Sequence, residues 1–325
     1  MIAKRLVSLV LLAALLLFVM PRPSAAQSTL ADLSFGILTP TASEWPVYLA
    51  QAEGFYKDEG LNVSIIEGNT PPNVINMVAT DGANMVDNGC DSEIAAVSHG
   101  LPLKVVAPMF STNPYSLVVL PSIKGWADLK GKSVMLGTKQ DVTAIALGAL
   151  AAAHKMTLDD FQIIIGGNST ARYAGLQSGN VQGAMLAQPY DLLAQSKGDT
   201  ILATASDSIK DWAFTCVAVN NDWAAKNRPL VLKFLRALHK AILYGYANKA
   251  GAVAVLIDKT KVDPAIASAA WDVDFGKWKA FNANLKPSAT ALDTVGKYQV
   301  QFGVIPAMVP LNQLYDPSFV ADALK

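Results

Sequence analysis

Short apolar runs alternate with helical patterns along most of this chain, and that alternation restricts it to folds in which helices cover largely parallel sheets. Leu33-Ser34-Phe35-Gly36-Ile37 alternates at period two, as a strand does. Trp45 precedes Pro46, which biases Trp45 away from helical backbone and places Pro46 in the first turn of a helix running to Tyr56. Asn62 to Ile66 reads as the next strand, and a helix is expected around Val74 to Thr80. Apolar runs at Lys104 to Ala107, Ser116 to Leu120, Lys132 to Leu136, Phe161 to Ile165 and Ala184 to Leu186 continue the series. Helices are expected among them at Thr143 to His154 and from Thr170 to Ser178. Phe214 to Val219 is one more strand, after which helices dominate. Val231, Phe234, Leu235, Leu238 and Ile242 make an apolar stripe at helical spacing, with Lys233, Arg236 and Lys240 off it on a solvated face.

One internal echo accompanies this pattern. Met77 to Val86 and Leu176 to Met185 both read as a helix end, a glycine turn and a short strand, as two similar α/β lobes would produce.

The first 26 residues have the layout of a secretory signal peptide. Lys4 and Arg5 precede Leu6 to Met20, a run of 15 residues in which only Ser8 is polar. Ser24-Ala25-Ala26 follows as a small-residue cleavage site. The run falls short of the roughly 20 residues that span a bilayer, and no Cys follows it to carry a lipid. The mature chain is expected to start near Gln27, outside the cytoplasm. Removing residues 1–26 takes three basic groups and no acid, leaving 23 basic against 26 acidic side chains. Nucleic acid needs a clustered basic footprint, so it is not an expected partner. Cys90 and Cys216 can pair in an oxidising compartment, although two buried free thiols are the expectation favoured here. His99, His154 and His239 show no metal spacing.

Four segments carry a family resemblance. Trp45 to Ala50 runs into Gly54-Phe55-Tyr56-Lys57-Asp58-Glu59-Gly60-Leu61-Asn62-Val63. Gly100 to Ala107, Asp128-Leu129-Lys130-Gly131-Lys132-Ser133-Val134 and Leu176-Gln177-Ser178-Gly179-Asn180-Val181 follow in order. Together, over residues 33–245, they resemble the substrate-binding proteins of ABC importers, in the nitrate/sulfonate/taurine-type family with the type II periplasmic binding fold. Gln182 and Asn84 stand where that family often has Asp.

The resemblance implies an α/β protein of two lobes, each a mostly parallel sheet flanked by helices, with a helical C-terminal part. One lobe would comprise residues 28–111 and 215–325, the other 112–214. It implies a periplasmic, monomeric receptor that closes over a small ligand and delivers it to membrane permease subunits. It implies no enzyme activity and no cofactor. In such folds ligands sit beyond the carboxyl ends of the strands, where helix N-termini favour anions. The candidate ligand-binding residues on those loops are Thr41, Glu44, Trp45, Asn69, Asn88, Thr138, Thr143, Asn168, Arg172 and Gln188. Trp45 offers an aromatic face. Arg172, near a helix start, is unfavourable there unless an anion sits beside it. These two point to an organic carboxylate or sulfonate. Alternatives on the same fold are a receptor for a thiamine pyrimidine precursor and a receptor feeding a sensor partner. The enzyme branch that makes that pyrimidine carries a Cys-rich iron motif, which Cys90 and Cys216 do not form. No Gly-x-Ser-x-Gly elbow or P-loop occurs.

Overall fold

A computed structural model describes residues 30–288 and 290–325. The expected leader at 1–26 lies outside the described residues. The first sheet and its helices use β1 (Ala31–Ile37), α1 (Trp45–Ala52), α2 (Phe55–Asp58), β2 (Leu61–Glu67), α3 (Pro71–Ala79), β3 (Met85–Gly89), α4 (Cys90–Ser98) and β4 (Leu103–Phe110). The chain then crosses to β5 (Ser116–Val119), β6 (Ser133–Leu136), α5 (Val142–Ala152), β7 (Gln162–Ile165), α6 (Ser169–Gln177), β8 (Gly183–Leu186), α7 (Tyr190–Ser196), β9 (Thr200–Thr204) and α8 (Ala205–Ser208). It returns to the first sheet as β10 (Thr215–Asn220), followed by the long α9 (Asn221–Ala247) and further helices.

The two sheets share one strand order, β2-β1-β3-β10-β4 and β7-β6-β8-β5-β9. The sequence echo thus falls on equivalent places, α3 into β3 and α6 into β8. Both copies turn through left-handed backbone, at Asp81 with φ 60° and at Gly179 with φ 73°. The sheets are largely parallel, as expected: four of the five strands in each point the same way and one is reversed, which makes both sheets mixed. β10 runs antiparallel to β3 and β4, and β5 antiparallel to β8 and β9. Each is the first strand after a crossing. The chain leaves β4 at the end facing the other sheet and enters that sheet from the same side. With no crossover helix to carry it round, the strand must run the opposite way.

The expected α9 stripe is buried in full. Phe234 stacks on Phe35 at 4.6 Å and on Tyr56 at 5.3 Å between ring centroids, tying α9 to β1 and α2. Burying one such side chain is worth roughly 1.5–3 kcal/mol. On the solvated face Arg236 and Lys240 both reach Glu59, each at 2.7 Å.

Cys90 and Cys216 are joined, with 5.0 Å between their Cα atoms, which overturns the expectation of two free thiols. The cause is strand register. Cys216 lies opposite Asn88 on β3, two residues before Cys90. That pairing joins residues 126 apart in sequence and leaves no local mark there. Among the described residues no helix is long and apolar enough to cross a membrane.

Candidate functional site

The carboxyl ends of β1, β3, β6 and β8 face one another across a cleft, and the loops after them meet there. Their meeting encloses a cavity of about 30 Å³, lined among others by Glu44, Asn88, Asp91, Tyr115, Asp141 and Thr215. That is room for one or two waters. A ring-sized ligand therefore enters by parting the lobes. Three hydrogen bonds bridge them at the cleft. Asp91 Oδ2 accepts from Val142 N at 2.9 Å, Gln188 O accepts from Ala42 N at 3.1 Å, and Asn69 O accepts from Asn168 Nδ2 at 3.3 Å.

A short helical turn, Ala42–Glu44, leads into α1 and drives Glu44 inward. Glu44 is 2 % exposed, although a loop carboxylate before a helix reads as surface in the sequence. Asp87 on β3 faces it from the sheet, with Thr215 of β10 alongside. Burial pushes both carboxyls well above the usual carboxylate range, and Asp87 raises Glu44 further. Glu44 Oε2, both Asp87 oxygens and Thr215 Oγ1 have no hydrogen-bond partner of full geometry among the described residues. Buried polar groups are nearly always paired, so this concentration marks a built polar site. Tyr115 and Phe214 supply its aromatic walls, edge to face with centroids 5.6 Å apart.

The opposite wall is already neutralised. Asp141 caps α5 in its own lobe, accepting from Thr138 N at 2.9 Å and Thr143 N at 3.0 Å. Asp91 takes the next donor, Val142 N, from across the cleft. The helix start at 137–143 thus meets two carboxylates of this chain, where the sequence suggested an anionic ligand. Gly137 is required there, because a Cβ would fall 2.0 Å from Asp141 Oδ2 and 3.2 Å from an Arg172 nitrogen.

Arg172 also departs from its expected role. It is 1 % exposed. Its Nε donates to Met185 O at 2.6 Å, one Nη to the Gly167 carbonyl, and the other to Ser169 Oγ at 2.9 Å. Trp45 is a second correction. It is fully buried in the core, donates Nε1 to Ala252 O at 2.6 Å, and packs edge-on to Phe275. Trp45 opens α1 in helical backbone, φ −49° and ψ −47°, against the bias expected before Pro46, and faces the helices after α9 while Glu44 lines the cavity.

Among the other candidates, Thr41 and Asn88 line the cavity with Glu44. Asn88 spends its amide on Pro71 O at 3.1 Å, anchoring the start of α3. Thr138 lines an outer groove beside the cavity, with His99 and Gln140. Thr143 is buried and holds Gly137 N at 2.8 Å. Asn69 and Asn168 bridge the rim to each other. Asn168 also caps α6, accepting from Ala171 N at 2.9 Å. Gln188 is buried and donates to Asp191 at 3.0 Å. Tyr115, Phe214 and Thr215 escaped the sequence reading because they flank the crossings between lobes, where no strand-to-helix loop drew attention. Among the described residues no group of three or more His, Cys, Asp or Glu is placed to hold a metal ion.

Asp91 gives the closed cleft a pH dependence. Burial, and next the neighbouring Asp141, raise its carboxyl to about 7. The unfolded chain releases that proton near pH 4. Between these values the folded state holds more protons, so stability falls as pH rises through the window. Asp91→Asn is expected to flatten that fall when urea midpoints are compared at pH 5 and pH 8. Parallel slopes for the two proteins would remove Asp91 as its source.

The sequence pattern of the family described as NMT1/THI5 like matches residues 42–252, a stretch that contains every cavity residue named above except Thr41. A curated relative from Aspergillus parasiticus is 26% identical over 230 residues, covering 66% of each chain, and is named 4-amino-5-hydroxymethyl-2-methylpyrimidine phosphate synthase. The alignment thus spans just under two thirds of that relative. The periplasmic aliphatic sulphonate binding protein SsuA from Escherichia coli superposes with a TM-score of 0.70 at 18% identity, covering 88% of this chain and 92% of that one. The periplasmic nitrate-binding protein NrtA from Synechocystis PCC 6803 gives 0.75 at 15% identity, covering 90% and 88%. The two-lobed periplasmic binding fold is therefore shared. The expectation that the chain is no enzyme is corrected by this comparison, since this relative and one from Saccharomyces cerevisiae, also 26% identical, are named as synthases.

Proposed function

This chain belongs to the NMT1/THI5-like family, and we propose from that premise that it captures a small nitrogen heterocycle of the pyrimidine class between its lobes. In this reading it works in the periplasm and passes its ligand to the permease of an ABC importer. One observation carries the choice of ligand. The cavity offers acceptors, through Glu44 and Thr215 with Asp87 buried directly behind them, while the donors of Arg172 are spent inside their own lobe. A ring bearing an amino group supplies the missing donors and packs flat on Tyr115 or Phe214. A carboxylate or sulfonate would meet carboxyl groups instead, so the organic anion drawn from Trp45 and Arg172 gives way.

The named relatives favour a second reading, in which the same cavity acts chemically on a pyrimidine or its precursor. One titration series addresses both. The mature chain is melted with 4-amino-5-hydroxymethyl-2-methylpyrimidine, with taurine and with nitrate. A probe at about 100 times its Kd stabilises by roughly 2.7 kcal/mol. The pyrimidine is expected to raise Tm and the two anions to leave it unchanged. A rise with taurine or nitrate alone overturns the ligand assignment. Mass spectrometry of the recovered pyrimidine then separates capture, which returns it intact, from conversion.

A further inference from the structure

The polar site does not end at the cavity wall. Behind Glu44 and Asp87 lies Glu93 of α4, fully buried with neither oxygen paired. Tyr48, one turn along from Glu44 on α1, and Tyr56 on α2 both carry buried hydroxyls without partners. Asp91 of α4 faces Glu93 from the cleft side, and Tyr190 of the second lobe faces Tyr48. Among the described residues no Lys or Arg acts on Glu44, Asp87 or Glu93. Lys259 lies over the Tyr48 ring at 5.7 Å from its centroid, on the outer side of α1. The first lobe thus holds a buried run of carboxyl and hydroxyl groups that opens on the cleft at Glu44 and Thr215 and has no built-in counter-charge.

A buried carboxylate without a counter-charge is expensive, and such a group keeps its proton instead. A ligand that brings a positive charge removes the reason for keeping it. We propose that the cleft takes its ligand by proton exchange: a protonated nitrogen with flanking N–H donors settles against Glu44 and Asp87, and the pair releases one proton to solvent. The exchange balances. One cation enters, one proton leaves, and no covalent bond to the ligand forms or breaks. The ligand class is an amidine-like edge, a ring or chain nitrogen with an amino group on the adjoining carbon. Two such donors match two acceptor carboxyls, as a charge-assisted pair. The upward push of burial on both carboxyls fits a pair that still holds its proton at neutral pH before capture. The inference rests on the reading of the cleft as a site for nitrogenous ligands and goes beyond it by fixing the ligand's charge state.

The test uses benzamidine, which is protonated throughout the neutral range, and benzoate, which has the same shape and the opposite charge. Each is titrated calorimetrically into the mature chain at pH 7 in phosphate and in Tris, buffers of different ionisation enthalpy. The expected result is benzamidine binding whose apparent enthalpy differs between buffers by about one proton released per ligand. By the same linkage its affinity rises up to about tenfold per pH unit between pH 5 and pH 7. The double variant Glu44→Gln with Asp87→Asn, neutral replacements of nearly the same shape, is expected to fold and to lose the buffer dependence. Benzamidine binding with equal enthalpies in both buffers overturns the proton exchange and leaves the nitrogenous site standing. Binding of benzoate alone, or of neither probe, overturns the site reading and the exchange with it.

Discussion

Replacing Cys90 and Cys216 with Ala is expected to cost the fold about 4–5 kcal/mol. The bond closes a loop with a sequence separation of 126 residues. In the chain-entropy account, tying off a loop of that length removes roughly this much freedom from the unfolded ensemble. It also joins the first residue of α4 to β10, the strand on which the chain returns from the second lobe. All of the second sheet lies inside the closed loop. Denaturant midpoints of the oxidised protein and the double Ala variant measure the effect. Equal midpoints would mean that the two thiols do not pair in the folded protein. Each Cys also follows a residue of the cavity lining, Cys90 after Gly89 and Cys216 after Thr215. The variant should therefore lose ligand affinity together with stability, and recover neither when oxidant is added.

The sequence made the architecture legible and the site only partly so, for one physical reason. Strand and helix identity comes from local periodicity, and the α9 stripe or the Leu33–Ile37 alternation survives folding intact. Pairing and facing are non-local. Nothing near Cys90 says that β10 will lie beside β3, and nothing near Trp45 says that α1 will turn it toward Phe275. Glu44 illustrates both halves of this. Its place on a strand-to-helix loop was readable, which made it a candidate. Its burial against Asp87 depends on β3 lying beside β1, which only the sheet order supplies. The same holds for the direction of β5 and β10, fixed by how the chain crosses between lobes and not by their own residues.

Arg172→Ala is expected to unfold the second lobe more readily and not to act as a lost ligand contact. Its guanidinium serves three acceptors from three places: the Met185 carbonyl at the cleft end of β8, the Gly167 carbonyl in the loop before α6, and the Ser169 hydroxyl. Removing it leaves those acceptors buried and unpaired, at about 1–3 kcal/mol for each group left unsatisfied. A loss of about 3 kcal/mol or more is therefore expected. It would appear as a lower urea midpoint, with any weakening of ligand following from the lost fold. Arg172→Lys keeps the charge but not the fork, and one ammonium cannot reach all three acceptors along their own directions. Its loss should fall between wild type and Ala. The sequence argument that an Arg near a helix start needs a negative partner was sound in its physics. The partners are backbone carbonyls and the nearby Asp141, whose carboxyl burial raises above its usual range while the Thr143 hydroxyl and then the guanidinium offset part of that rise. An Ala variant that melts like wild type while losing its ligand would return Arg172 to the binding site. The cleft would then have a free cationic donor, and the preference for nitrogenous ligands would lose its main support.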